Sequence, residues 1–300
     1  MSLPTEPIGS IPRPEELIEG LLAFQEGTLS QEALDRVSDR ALRATIDAFE
    51  DTGSPVITDG EQIKPSFLTY PVAGSDIMEP GGVEIPFEAG HTRTLPRLTD
   101  GPFRYDTYAV EYLKRAQEHA SVPVKQSVIS ASALSFLYPE EGIDGYSRDA
   151  FLDDLVGEVE TDIRRCLDAG AHAVQIDFTE GRLAVKLDPS KDLLRQFVDL
   201  NNRVLDRFSD EERQKIGVHT CPGGDRDSTH SADVDYAELL PLLFEMNAGR
   251  FYMQFASEDD PGRVLDIVSE HSGDDQTIFL GVIDVNDPEI ESPEDVRDTV

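Results

Sequence analysis

The stretch IGVHTCPGG, residues 216–224, carries the chain's most pointed chemistry. An imidazole at His219 and a thiol at Cys221 stand two residues apart at the end of an apolar, β-rich run. On a strand, side chains at i and i+2 share a face, so the two groups point the same way. Imidazole nitrogen and thiolate sulfur are preferred zinc donors, at roughly 2.0–2.1 and 2.3 Å, and a pair from one strand end sets half of a tetrahedron. The spacing suits equally a structural cysteine beside a histidine bonded to backbone. The chain holds only two cysteines and six histidines. The other cysteine, Cys166 in IRRCLDAGAH, sits among apolar neighbours at helical spacing and reads as core.

Carboxylates stand at the ends of two further β-rich runs, Glu61 in DGE (59–61) and Asp177 in QIDFTEG (175–181). Each suits a bound ammonium group, a proton-transfer role, or the cap of a following helix. Ser10, in IGSIPRP, lies in a turn whose backbone N–H groups suit a carboxylate, or it is a plain strand exit. Asp227 and His230 follow Cys221 closely enough to support the pair from behind. Gln254 ends the run RFYMQFA, with Glu258 shortly after it.

These residues need a scaffold that gathers strand ends. Seven β-rich runs occur at 5–11, 55–61, 122–130, 171–179, 215–221, 250–256 and 277–285. Helical patterns alternate with them. Residues 30–53 open on a Ser cap and close at Gly53, and 147–170 repeat that design with acids early and arginines late. Further helices fit 106–119, 190–208, 235–246, 260–271 and 293–300. Strands alternating with helices imply βαβ units and a parallel sheet. Continuous apolar runs without GxGxxG favour a (β/α)8 TIM barrel over an open dinucleotide-binding sheet. Such a barrel collects Ser10, Asp59, Glu61, Asp177, His219, Cys221, Gln254 and Asp284 on the C-terminal face of its strands. The expectation is a single barrel over 1–300 that lacks its last βα unit. A Gly- and Pro-rich hairpin excursion at about 63–105 is expected to lean over the mouth.

Charge narrows the partners. The chain carries 60 acidic against 26 basic residues, a formal net charge of −34. The acids are spread through amphipathic segments, and 39% of residues are hydrophobic, so the composition is globular. Spread acidity with only six lysines points to a halophilic proteome, where a Debye length of about 3 Å at 1 M salt screens self-repulsion. Nucleic acid and anionic membrane surfaces are excluded as partners on this charge. No run approaches the roughly 18 apolar residues of a membrane span, and the start has no secretory pattern. The expected location is the cytoplasm.

Together and in this order, IGS, DGE, QID, HTC and GVID followed by SPED resemble the C-terminal catalytic barrel of cobalamin-independent methionine synthases. The resemblance runs over nearly the whole chain. It implies a Zn2+ cofactor held by His219 and Cys221, which ionises the thiol of a homocysteine-like substrate for attack on a methyl donor, a folate or a corrinoid protein. It implies that Ser10 with neighbouring backbone holds the substrate carboxylate, and that Glu61 and Asp177 hold its ammonium. Four departures stand out. The family's third zinc ligand, a glutamate, is Gln254 here, with Glu258 as a substitute nearby. A catalytic histidine is replaced by Asn286, and D-E-P reads Asp177-Phe178-Thr179. The fourth ligand, a cysteine, falls beyond residue 300. The competing readings are a degenerate small-molecule-binding barrel and a decarboxylase of the uroporphyrinogen type. The latter needs more strand-end arginines than Arg13 and Arg226 supply.

Overall fold

Alternation of helix-period and strand-period segments sets the architecture of the computed structural model, which describes residues 3–225, 228–284 and 289–299. Helices α1 (Glu15–Gln25) and α2 (Gln31–Asp51) lead. In α2 the Ser30 side chain accepts the Ala33 N–H, and Leu34, Ser38, Ala41, Leu42, Thr45 and Ile46 form one buried stripe. Four short strands follow: β1 (Met78–Glu79), β2 (Glu84–Pro86), β3 (Thr92–Thr94) and β4 (Arg97–Leu98). They pair antiparallel, β1 with β4 and β2 with β3.

The alternating part then runs through α3 (Val110–Gln117), β5 (Gln126–Ile129), α4 (Ala131–Leu134), α5 (Arg148–Asp168) and β6 (Val174–Asp177). It continues with α6 (Glu180–Leu187), α7 (Asp192–Leu205), α8 (Asp210–Arg213), β7 (Ile216–Thr220), and the small hairpin β8 (Gly224–Asp225) with β9 (Ser228–Thr229). Last come α9 (Tyr236–Leu243), β10 (Arg250–Gln254), α10 (Pro261–His271), β11 (Thr277–Gly281) and α11 (Pro293–Thr299). The long strands form one five-stranded sheet in the order β11-β10-β7-β6-β5, with β10 parallel to both β7 and β11. Every residue of β5, β6 and β7 is buried, the polar Gln126, Ser127, Gln175, Asp177, His219 and Thr220 included, so none of the three shows a solvent-facing polar alternation.

By its contacts the chain divides into two compact units. The first holds residues 1–73, 107–128 and 162–175, and the second holds 74–106, 129–161 and 176–300. In the first, the expected strands at 5–11 and 55–61 are not strands. The segment near residue 57 makes one parallel bridge, Ile57 to Val124, and the Ile11 N–H donates to the Gly60 carbonyl at 3.2 Å. Prolines at 4, 7, 12, 14 and 55 remove the donors that a continuous ladder needs. Cys166 is fully buried, as expected of a core cysteine, and burial pushes its thiol well up.

Candidate active site

Glycine at 217 lets β10 pack closely on β7, the strand that carries His219, in the second unit. A Cβ there would lie 2.4 Å from a ring carbon of Tyr252, so the close approach of β10 to β7 requires glycine. Two residues on, His219 is 8% exposed and its Nδ1–H donates to the Tyr252 carbonyl at 3.1 Å. That bond fixes the ring and leaves Nε2 as the nitrogen that faces Cys221. Cys221, half-buried just past the end of β7, is hydrogen-bonded to the His219 side chain. Burial pushes the Cys221 thiol up, but the charge and hydrogen bond of His219 and the Gly223 N–H, 3.4 Å away, bring it below the ordinary thiol value. The structure therefore joins the two groups that the spacing proposed.

His230 packs behind the same loop. Its ring lies where a Cβ on Gly223 would stand, its Nδ1 is 2.8 Å from Ser231 Oγ, and Phe87 meets it edge-on at 5.5 Å. Burial, then the charges of Lys186 and Arg93, lower its pKa to about 4, so it is neutral at pH 7. Asp227 and Asn286 lie outside the described residues.

The donors expected to complete a zinc site are otherwise engaged. Arg182, 2% exposed on α6, donates to Gln254 Oε1 at 3.2 Å and forms an ion pair with Glu258. Its guanidinium also stacks 3.6 Å over the Tyr236 ring. Gln254 further donates to Ser257 Oγ. Among the described residues no group of three or more His, Cys, Asp and Glu is placed to hold a metal. His219 and Cys221 thus fit half of a tetrahedral zinc site by donor chemistry and orientation. Glu258, the expected substitute ligand, neutralises an arginine instead. A cavity of about 620 Å³ is lined by Pro222, Arg182, Glu258, Arg263, Ser228 and Asp284 among others; it reaches the residue after Cys221, but neither His219 nor Cys221 lines it.

At the end of β6, Asp177 is 7% exposed. It does not occupy the cap of the next helix, where Thr179 stands, so helix capping does not explain it. Three residues later Glu180 is buried, accepting from Ser130 Oγ at 2.6 Å and from Ser132 Oγ, while its Oε2 has no partner. Burial raises its pKa to about 7, against the pull of the two serines and with Asp177 adding to the rise. The unfolded carboxyl titrates at 4.5, so the folded state binds the extra proton between pH 4.5 and 7. Stability is then highest below pH 4.5 on this account and falls as pH rises through 7, by about 3 kcal/mol. Glu180→Gln should flatten that part of a urea-midpoint profile; an unchanged slope between pH 4.5 and 7 would contradict the assignment.

In the first unit, Glu61 has φ +55°, after Gly60 at φ +64°. A Cβ on Gly60 would lie 2.6 Å from Thr45 Cγ2, so this left-handed turn needs glycine. Asp59 Oδ1 accepts the Glu61 N–H at 2.9 Å, and no helix begins there to be capped. Glu61 Oε1 accepts from Lys64 Nζ at 2.9 Å and from Ser127 Oγ at 2.7 Å. Burial raises the Glu61 carboxyl, but Lys64, Ser127 and Arg13 outweigh it and hold it below the usual glutamate value. Ser10 is exposed, next to buried Gly9, whose carbonyl accepts from Thr58 Oγ1 at 3.0 Å. Lys64, Arg182 and Glu180 escaped the sequence reading. Lys64 alone left a trace, as one of six lysines and three residues after Glu61.

The family profile of the cobalamin-independent synthase catalytic domain matches residues 3–300. A methionine synthase of Sulfurisphaera tokodaii is 23% identical over 297 residues, which cover 98% of this chain and 79% of that protein. The 5-methyltetrahydropteroyltriglutamate–homocysteine methyltransferase of Lactococcus lactis is 22% identical, over 98% of this chain and 37% of that longer protein. The solved structure of a B12-independent methionine synthase from Shewanella sp. W3-18-1, in complex with selenomethionine, matches with a TM-score of 0.74 at 20% identity. It covers 99% of this chain and 85% of that one. The likeness establishes the (β/α)8 barrel that the parallel sheet and alternating helices imply. The corrinoid donor admitted by the resemblance finds no support among these relatives. With the profile matched from residue 3 to residue 300, the chain belongs to the cobalamin-independent methionine synthase family and is a methyltransferase barrel of that kind.

Proposed function

We propose that the protein methylates a small thiol of the homocysteine type, taking the methyl group from a reduced folate. The observation that carries this is the His219–Cys221 pair, oriented by the Tyr252 carbonyl at the end of a barrel strand. A zinc ion held by these two donors would supply deprotonation of an incoming thiol at neutral pH. The Tyr252 carbonyl keeps the His219 tautomer that leaves Nε2 as donor, and the Gly223 N–H steadies the Cys221 sulfur as thiolate. His230, neutral and packed on Gly223, holds the loop that carries Cys221. The resemblance gives the substrate carboxylate to Ser10 and its ammonium to Glu61 and Asp177. The spread acidity fits a salt-adapted cytoplasmic enzyme.

The test is a thiol-consumption assay on the whole protein, with zinc content measured on the same sample. Homocysteine methylated from methyltetrahydropteroyltriglutamate, with stoichiometric zinc, is the expected result. Metal-free protein that methylates no thiol from any methyl donor would sink the reading.

A further inference from the structure

The loop that leads on from Cys221 reads Pro222-Gly223-Gly224, and two consecutive glycines give a backbone much freedom to lose. Gly223 nonetheless sits at φ +72° with its N–H 3.4 Å from the Cys221 sulfur, so its surroundings must hold it there. On one side the His230 N–H donates to the Pro222 and Gly223 carbonyls at 3.3 and 3.2 Å. The Ser231 N–H and Oγ–H donate to the Pro222 carbonyl at 3.2 and 3.0 Å. The His230 ring lies so close over Gly223 that a Cβ there would meet its Nε2 at 1.9 Å.

On the other side stands the turn that joins β2 to β3. Phe87 is only 7% exposed, although it lies where the two strands turn back. Its ring stacks on His91 at 4.8 Å and meets the His230 ring edge-on at 5.5 Å. Next to it the Glu88 N–H donates to the Thr229 carbonyl at 3.0 Å, and the Ala89 N–H donates to Ser228 Oγ at 3.0 Å. Thr229 Oγ1 donates to Glu88 Oε2 at 3.0 Å across 141 residues of chain. Thr229 pairs in turn with Gly224, the residue after Gly223. All of these groups belong to the second unit.

We infer that Phe87 and Glu88 are positioning residues for Cys221: the turn between β2 and β3 presses His230 onto Gly223 and so holds the Gly223 N–H toward the Cys221 sulfur. This rests on the role proposed above for Cys221 and deepens it, because it names what keeps that sulfur in place. Phe87 acts through the His230 ring, and Glu88 acts through β9. Without the Phe87 ring, His230 has room to turn away and Gly223 loses the packing that fixes it. A loosened loop must be ordered when a metal binds, and that cost weakens the affinity.

Hydrogen exchange of the whole protein, metal-free, and competition for zinc against a chelator test this. Phe87→Ala should speed exchange at Gly223, His230 and Ser231 by at least about tenfold, while the amides of β10 keep their rates. It should weaken zinc binding by a similar factor. Phe87→Leu, which still packs on His230, should recover most of both losses. Thr229→Val removes only the bond to the Glu88 carboxylate and should speed the same amides by about threefold. A purely structural role would lower the urea midpoint and leave the loop amides and the zinc competition unchanged; that result would overturn the inference. If Phe87→Ala does not fold, Thr229→Val decides, and unchanged loop exchange in it is equally fatal. Wild-type protein that binds no zinc would overturn the proposed function, and the exchange rates of the metal-free variants would still decide whether the clamp exists.

Discussion

Cys221→Ser is expected to lower thiol methylation by at least about a thousandfold while the protein still folds. The reason lies in what oxygen cannot do at this position. A serine hydroxyl is not ionised near neutrality and is a poor partner for zinc, so the half-site provided with His219 is lost. A thousandfold loss corresponds to about 4 kcal/mol of transition-state stabilisation, within the range a metal contributes by ionising a nucleophile. Stability should change little, because Cys221 is only half-buried and makes one backbone contact, from the Gly223 N–H. His219→Ala should match the loss of activity but cost more stability, since the Tyr252 carbonyl loses its imidazole partner. Zinc content and initial methylation rate, measured on the same preparations with a urea melt, separate the effects. A serine variant with full zinc and full rate would remove Cys221 from the mechanism.

The H-x-C pair was legible because a strand end makes its two side chains neighbours without any tertiary information. The long helices were legible for a similar reason. Residues 30–53 show their caps and a single apolar stripe, and α2 spans Gln31–Asp51 within them. Helix α1 was not legible: Ile18, Leu22 and Phe24 are exposed, so its apolar residues do not mark one buried face. The runs at 5–11 and 55–61 read as strands because their β-branched residues did not reveal how many donors the prolines had removed. Site chemistry divides along the same line. Lys64 pairs with Glu61 only because residues 60 and 61 both turn left-handed, and spacing of three in a loop does not announce that. Arg182 meets Gln254 and Glu258 across 72 and 76 residues of chain, a separation that composition and periodicity do not bridge. Glu258 was consequently read as a substitute metal ligand, when its charge is already committed.

That commitment should make Arg182→Met the most destabilising of these substitutions, by about 3 kcal/mol. Breaking a buried ion pair by removing one partner costs about 3–5 kcal/mol, because the other charge is left without compensation. Glu258 keeps 14% side-chain exposure and regains some hydration, which places the expectation at the lower end. Loss of the guanidinium stacked over Tyr236 and of the bond to Gln254 adds to it. Methionine matches the stem of arginine, so little cavity is created and the change reports on charge. Glu258→Leu placed on top should recover most of the loss, because a buried pair replaced by apolar groups is often neutral. The cycle of single and double variants, read from urea midpoints, should give a coupling of at least about 2 kcal/mol. Salt supplies the control. Arg203–Asp153 is 44% and 76% exposed at its two ends and should lose its small contribution in 1 M KCl, whereas the Arg182–Glu258 coupling should persist. A coupling under about 0.5 kcal/mol, or one that salt abolishes, would mean that Glu258 is free to serve another cation. The expectation of a metal-ligating Glu258 would then regain its force.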